Sequence, residues 1–276
     1  MGAPGLIDLH SHSLASDGQY AAAEVAARAR QAGLSVWGLC DHDTVAGLPA
    51  AAAAAAVHGL RLVPGIELSA FLERREIHLL GHFVDPAHPA LAAFEDFLAG
   101  HRRERVRQMV ARLAALGVHV TEEAILRVSG GKTIGRPHVA RAIVEAGGAA
   151  SVRDAFDRWL GEGKPAYVQR YRLEAADAVA LVRGAGGTVT IAHPGVSRLE
   201  VAEVARLAAA GVAGIEAIHP DQNPSVREKY ERAAAASGLV VTAGSDFHGP
   251  DVSPDRHLGM VTMAEAALAA LEARRP

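Results

Sequence analysis

Leu6-Ile7-Asp8-Leu9-His10-Ser11-His12 is the stretch on which the reading of this chain turns. Residues 6–9 are an apolar run of strand length, and in a strand residues i and i+2 point to the same side. His10 and His12 therefore aim two imidazoles at one point where the strand ends, which is half of a metal site. The same pattern recurs along the chain. Asp41-His42-Asp43 follows the apolar run 36–40, Glu67 follows Leu62-Val63-Pro64-Gly65-Ile66, and His78 lies in the run 77–80. Ala192-His193-Pro194 follows Val189-Thr190-Ile191, and Ser245-Asp246-Phe247-His248 follows residues 239–243. A lone strand-end histidine is usually a hydrogen-bonded core or surface group. His10, His12, Asp17, His42, Glu67, His78, His193, Asp246 and His248 together, each at or just beyond a strand end, point instead to metal ligation. Nitrogen and carboxylate donors of this kind suit Mn, Fe, Zn or Mg. Asp43 is read as a helix cap or as a partner that orients a ligand imidazole.

Between these stops the chain alternates strands with segments of helical period. Residues 24–33 and 46–59 read as helices ending at glycine. Residues 67–72 and 77–84 read as a hairpin across Glu73-Arg74-Arg75. From residue 174 onward the pattern predicts helix 175–184, strand 188–192, helix 199–211, strand 214–218, helix 225–238, strand 239–243 and a terminal helix from Ala264. Repeated βα units imply a parallel sheet, and the form that collects strand ends at one rim is a barrel. The middle differs: 94–116, 122–128, 137–146 and 152–160 all read as helices. The expected organisation is an α/β barrel in two parts, 1–88 and 169–276, interrupted by a mostly helical cap at 89–168.

Composition narrows the function classes. A chain of 276 residues suits one barrel-sized domain with an insertion. Half of the residues are hydrophobic and the net charge is only -3, which argues against nucleic-acid binding by bulk charge. The single cysteine, Cys40, excludes an intrachain disulfide and a cysteine-based zinc site, and suits a reducing cytoplasm. The alanine-rich tract 50–57 reads as a packed helix, and no signal peptide or membrane span is expected. His58, His88, His101 and His119 are expected at the surface, and His257 in a loop. Trp37, Phe71, Tyr167 and Tyr171 are the aromatics from which a base-stacking platform would be drawn, with core packing preferred for Trp37 and Phe71.

Several motifs resemble one family in combination. Asp8-Leu9-His10-Ser11-His12 with Ser16-Asp17-Gly18, then Cys40-Asp41-His42-Asp43-Thr44, Gly65-Ile66-Glu67, Ile77-His78, Ala192-His193-Pro194 and Gly244-Ser245-Asp246-Phe247-His248-Gly249 resemble the PHP (polymerase and histidinol phosphatase) family over nearly the full chain. Gly135-Arg136-Pro137-His138-Val139-Ala140 and the segment 161–168 are similar to the inserted region of its stand-alone nucleotide phosphoesterases. The resemblance implies a distorted (β/α)7 TIM-like barrel with two or three divalent ions, Mn foremost. It places His10, His12, Glu67 and Asp246 on the first ion, Glu67 with His78 and His193 on the second, and Asp17, His42 and His248 on the third. At the Asp17 position some relatives carry His.

The expected activity is hydrolysis of nucleotide phosphate esters by metal-bound hydroxide attacking phosphorus. The substrate that the resemblance implies is a nucleoside 3′,5′-bisphosphate, cleaved to the 5′-monophosphate, or short RNA trimmed from its 5′ end. Arg136 is the foremost phosphate-binding cation, because a guanidinium offers two parallel hydrogen bonds. Lys164 and Arg170 are further substrate candidates. His219 and His138 are candidates for a phosphate contact or for protonation of the leaving oxygen. Histidinol-phosphate phosphatase is the competing enzyme reading, and a non-catalytic metal-binding scaffold the competing class. No membrane and no obligate protein partner are expected.

Overall fold

The computed structural model describes residues 5–130 and 134–276. The first part of the chain runs β1 (Leu6–Asp8), α1 (Ala22–Gln31), β2 (Leu34–Leu39), α2 (Leu48–His58), β3 (Arg61–Leu72) and β4 (Arg75–His82). Helices α3 (Pro89–Ala115), α4 (Glu122–Ser129), α5 (Arg136–Glu145) and α6 (Val152–Ala155) follow. The chain then continues through β5 (Leu173–Glu174), α7 (Ala175–Gly184), β6 (Thr188–Ile191), α8 (Val201–Ala209), β7 (Gly214–Ile218), α9 (Pro224–Ser237), β8 (Val240–Ala243) and α10 (Glu265–Glu272). Glycines stop α2 and α9: Gly59 and Gly238 take φ of +64° and +66°, the left-handed conformation in which a side chain is strained. The helix expected over 152–160 begins as α6 and ends as a π turn, Phe156–Leu160, closed by Gly161 N–H donating to Phe156 O.

The strands pair in the order β1-β2-β3-β4-β6-β7-β8, with β5 joined to β3. β1, β2 and β3 are mutually parallel, as are β6, β7 and β8, but β4 is antiparallel to both of its neighbours. The short charged turn after β3 dictates the first of these pairings, since a tight turn can only return an antiparallel strand. The regular βα repeat of a (β/α)7 barrel is therefore broken at β4. The path of paired strands is also open, and no β1–β8 ladder closes it among the described residues. What joins its two ends lies beyond the strands themselves. Leu9 N–H donates to Ala243 O at 3.2 Å, Asp246 N–H to His10 O at 2.9 Å and His12 N–H to Phe247 O at 2.8 Å.

The chain divides into two compact units, Met1–Ala92 with Arg172–Pro276, and Ala93–Tyr171. In the first, Ile7, Leu9, Val36, Val63, Val240, Ala243, Leu268 and Leu271 form one buried cluster, from which strand ends emerge. Trp37 is fully buried, its Nε1–H donating to Ser11 Oγ at 2.8 Å, so it is a core residue. Phe71 carries the Arg172 guanidinium over its ring at 4.4 Å. The second unit has its own core, with Val106, Met109, Leu113, Ile125, Val139, Ile143 and Leu160 among its members.

Candidate metal centre

The strand ends of the first unit bring the histidines and carboxylates into one cluster with Glu67 at its middle. Glu67 is fully buried. Its Oε2 lies 3.2 Å from His10 Nε2, 3.1 Å from His12 Nε2 and 3.3 Å from His42 Nδ1. Its Oε1 lies 2.7 Å from His78 Nδ1 and 3.1 Å from His193 Nε2. One carboxylate thus faces two groups of imidazoles. Asp246 Oδ1 completes the first group, 3.4 Å from His10 Nε2 and 3.1 Å from His12 Nε2. Asp17 gathers a third, with His248 Nε2 at 3.3 Å, His42 Nε2 at 3.8 Å and His12 Nδ1 at 3.9 Å. In each of three sets the donor atoms lie within 4.8 Å of one another: His10, His12, Glu67 and Asp246; His42, Glu67 and His78; His12, Asp17, His42 and His248.

The backbone is bent to make this convergence. His193 and Asp246 have φ of +24° and +51°, conformations that cost a non-glycine residue roughly 1–3 kcal/mol and persist where the surroundings over-determine them. Gly244, just before Asp246, allows the close approach beneath: a Cβ there would lie 2.2 Å from His10 Cβ and 2.3 Å from Glu216 Oε1.

The residues fit divalent cations on their own geometry. His10 Nε2 and His12 Nε2 are only 3.1 Å apart in a fully buried place. Buried Nδ1 atoms of His12, His42 and His193 have no hydrogen-bond partner among the described residues, whereas buried polar groups are nearly always paired. A nitrogen and carboxylate donor set with this crowding needs positive charge among its lone pairs. Protonation supplies part of it. Burial resists charging His12 and His78, but the Glu67 carboxylate, with Asp246 beside His12 and Glu76 beside His78, outweighs it and pushes them up to about 9 and about 10. His10 is raised for the same reason, by Glu216, Asp246 and Glu67. Burial and the neighbouring imidazoles push His42 the other way, down to about 4. Burial would raise Glu67 and Asp246, yet the surrounding imidazoles hold both well below the usual carboxylate range.

Sequence reasoning missed the groups that hold this cluster in place. Glu216, inside β7, is buried and accepts from His10 Nδ1 at 3.0 Å and from His193 N–H at 2.9 Å. A lone carboxylate inside an apolar strand was the available signal. Asp8 accepts from Ser245 N–H at 3.0 Å and Gly259 N–H at 2.9 Å, tying the end of β1 to two later loops. Asp41 accepts from Ser13 N–H and Oγ–H and from Ser16 Oγ–H, each at 2.7 Å, which folds the loop carrying Asp17. Asp43 accepts from Ser69 N–H at 3.1 Å. Arg256 had no local signal. It donates to Asp246 Oδ2 and, at 2.5 Å, to Asp221 Oδ2.

The remaining candidates fall in both units. In the first, His219 is buried, its Nδ1 accepting Asp221 N–H at 3.1 Å and its Nε2 lying 3.5 Å from Asp246 Oδ2. The neutral ring therefore carries its proton on Nε2. Arg136, His138, Lys164 and Arg170 belong to the second unit. His138 Nδ1 accepts Gly135 N–H at 3.2 Å at the start of α5, and the Arg136 guanidinium stands over the rings of Phe156 and Tyr167 at 5.8 and 5.6 Å. Lys164 is exposed. Of the expected surface histidines, His101 and His119 are exposed while His58 and His88 are half-buried; His257 is exposed. His82, to which sequence reasoning assigned no place, is fully buried with Nε2 donating to Leu9 O at 3.2 Å, and burial pushes it down to about 4. No helix among the described residues is long and apolar enough to cross a membrane.

Comparison with known proteins agrees with this site. Residues 8–164 match the PHP domain family. The chain is similar to the 3′,5′-nucleoside bisphosphate phosphatase of Chromobacterium violaceum, 39% identical over 88% of this chain and 87% of that one. It is similar also to the 5′-3′ exoribonuclease Rnm of Salmonella typhimurium, 35% identical over 89% of this chain and 86% of that one. Among solved structures, one from Bifidobacterium adolescentis, described as a candidate metal-dependent phosphoesterase, superposes with a TM-score of 0.78 at 31% identity, covering 100% of this chain and 98% of that one. The chain belongs to the PHP domain family and is a metal-dependent phosphoesterase, a hydrolase of ester bonds.

Proposed function

We propose that the chain hydrolyses phosphate esters of nucleotides, taking a nucleoside 3′,5′-bisphosphate to the 5′-monophosphate or trimming short RNA from its 5′ end. The observation that carries this reading is the position of Glu67, whose two oxygens face two imidazole groups in a relative of a bisphosphate phosphatase. In this reading His10, His12, Glu67 and Asp246 hold one ion, Glu67 with His78 and His193 a second, and Asp17, His42 and His248 a third. Manganese suits this nitrogen and oxygen donor set. When bound, such ions lower the pKa of water and neutralise charge developing on phosphoryl oxygens.

The protein's own groups do the rest. His219 presents Nε2–H beside Asp246 and donates it as a hydrogen bond to a phosphate oxygen; Asp221 N–H holds its ring in that tautomer. Arg136, with Lys164 and Arg170, binds phosphate oxygens, the guanidinium through paired hydrogen bonds. His138, capping α5, keeps the turn that carries Arg136. The second unit is the helical insertion that interrupts the first in sequence, and the first is a distorted barrel, a reading supported by the backbone hydrogen bonds that join the continuations of β1 and β8. The lone buried thiol of Cys40 supports a cytoplasmic setting, and the reaction needs no protein partner. Metal-dependent release of phosphate from adenosine 3′,5′-bisphosphate tests the reading. Turnover of histidinol phosphate with none of either nucleotide substrate overturns it.

A further inference from the structure

The second unit carries a group of aromatic rings that its core does not use. Phe97 and His101 stand one helical turn apart on α3, with ring centroids 4.3 Å apart. Tyr171 packs its edge against Phe97 at 4.8 Å and lies 5.2 Å from His101. None of the three belongs to the buried cluster of this unit. Phe97 is 44% exposed and Tyr171 38%, and His101 is exposed as well. Three contiguous rings open to solvent form a surface on which a flat, polarisable ligand can stack.

The next turn of the same helix face carries charge. Arg105, four residues beyond His101, donates from Nε to Val168 O at 2.8 Å, which brings it against the segment that leads to Tyr171. Burial, with the like charges of Arg136 and Arg170, pushes Arg105 down to about 10, so both of these guanidinium groups act on Arg105. Aromatic faces beside clustered arginines are complementary to one class of ligand: a chain of bases joined by phosphodiesters.

We propose that Phe97, His101 and Tyr171, with Arg105, Arg136 and Arg170, form a binding surface for single-stranded RNA. Bases stack on the rings, and the adjoining phosphates meet the arginines. The surface takes nucleotides of a short RNA substrate, so the inference rests on the nucleotide reading above. It gives the chain a reason to prefer short RNA over a mononucleotide.

The test is fluorescence anisotropy of a 5′-phosphorylated, 3′-labelled pentaribonucleotide titrated with the full chain in EDTA, where no turnover occurs. Base–aromatic stacking of about 1–3 kcal/mol corresponds to a loss of roughly 5- to 150-fold in affinity for Phe97→Ala and for Tyr171→Ala. Phe97→Trp keeps parental binding, and the slope of affinity against salt is the same in Phe97→Ala as in the parent, because no phosphate contact is lost. Circular dichroism of each variant checks folding. Parental affinity in both alanine variants, or an unchanged affinity with a lowered melting temperature, overturns the surface and shows the rings to be a structural clasp. Failure of the parent to bind the RNA also overturns it. Phosphate release from adenosine 3′,5′-bisphosphate by the Mn-loaded parent reports separately on the nucleotide reading. Turnover there with unaltered RNA affinity in the variants removes the surface alone.

Discussion

Glu216 Oε1 lies 3.0 Å from His10 Nδ1, and both groups are buried. The contact holds a proton of His10 on Nδ1, so that Nε2, which faces Glu67, His12 and Asp246, is the nitrogen a metal ion would take. The other oxygen of the same carboxylate accepts the backbone N–H of His193. One residue in the middle of β7 therefore orients a side chain from the end of β1 and a backbone turn from the end of β6.

Loss of that orientation is expected to reach the metals. Partners of ligand histidines are worth about 10–100-fold in metal affinity. Glu216→Ala should weaken Mn binding by about that factor in titration calorimetry, with a smaller loss for Glu216→Gln, whose amide oxygen can still accept. Parental affinity in Glu216→Ala would show that His10 is held by something else.

Arg256 performs the corresponding task for Asp246. Its guanidinium donates to Asp246 Oδ2, while Oδ1 faces His10 and His12. The carboxylate is thus divided between a cation from the loop after β8 and the imidazole cluster. Arg256→Ala is expected to lower kcat/KM about tenfold or more and to reduce Mn affinity, because charge-assisted hydrogen bonds of about 1.5–3 kcal/mol are lost. Arg256→Lys should restore part of both. Steady-state kinetics beside metal titration check this, and an Arg256→Ala protein with parental values in both would contradict it.

Metal binding should release protons. The metal-free cluster holds protons on His12 and His78 up to about pH 9 and 10, and a ligand nitrogen must give its proton up. Addition of Mn to the chelated protein at pH 8 in weak buffer with an indicator dye is expected to acidify the solution. The released amount should fall to near zero in Asp246→Ala combined with Glu67→Gln, which removes the carboxylates that raise these imidazoles. No acidification in the parent would show that the imidazoles are already neutral.

Acid stability should depend on His82. Its folded pKa of about 4 lies below the ordinary value of 6.5, so the unfolded chain binds more protons between those limits. Stability is then fully present above about pH 6.5 and declines as the pH falls toward 4. His42 acts in the same direction and window. The buried His82 contributes up to about 3 kcal/mol of this decline. His82→Asn should flatten the denaturation midpoint against pH over 4 to 6.5, at some cost in stability at neutral pH from the altered bond to Leu9 O. A variant curve parallel to that of the parent would contradict the assignment.

The strand ends were readable because strand geometry fixes which side chains face together: His10 and His12 are two residues apart, and their Nε2 atoms lie 3.1 Å apart. β7 runs over the expected residues, Gly214–Ile218, because it is a short apolar run of strand length, and α7 over Ala175–Gly184, because Ala175, Ala178, Val179 and Val182 recur at helical spacing and are buried. The antiparallel direction of β4 on its far side was not readable, since the hairpin specifies only the β3 pairing and β6 arrives more than a hundred residues later. Two-residue β5 is too short to carry a period. Asp8 is legible only as part of a motif, because its role, accepting amides from residues 245 and 259, depends on contacts more than 230 residues away. Arg256 is invisible for the same reason. Tertiary partners, unlike local periodicity, leave no mark at their own position.

Whether the Glu67 cluster hydrolyses nucleotide phosphate esters is tested most directly by phosphate release from adenosine 3′,5′-bisphosphate by Mn-reconstituted protein, beside a 5′-phosphorylated short RNA and histidinol phosphate, with Asp246→Ala as the blank. Metal-dependent turnover of the bisphosphate, or nucleotide release from the RNA, is expected, with a loss in Asp246→Ala of at least about a hundredfold, the upper end of what loss of a ligand's hydrogen-bond partner costs. Bound metal with no turnover of either nucleotide substrate, or turnover that Asp246→Ala retains, would contradict it.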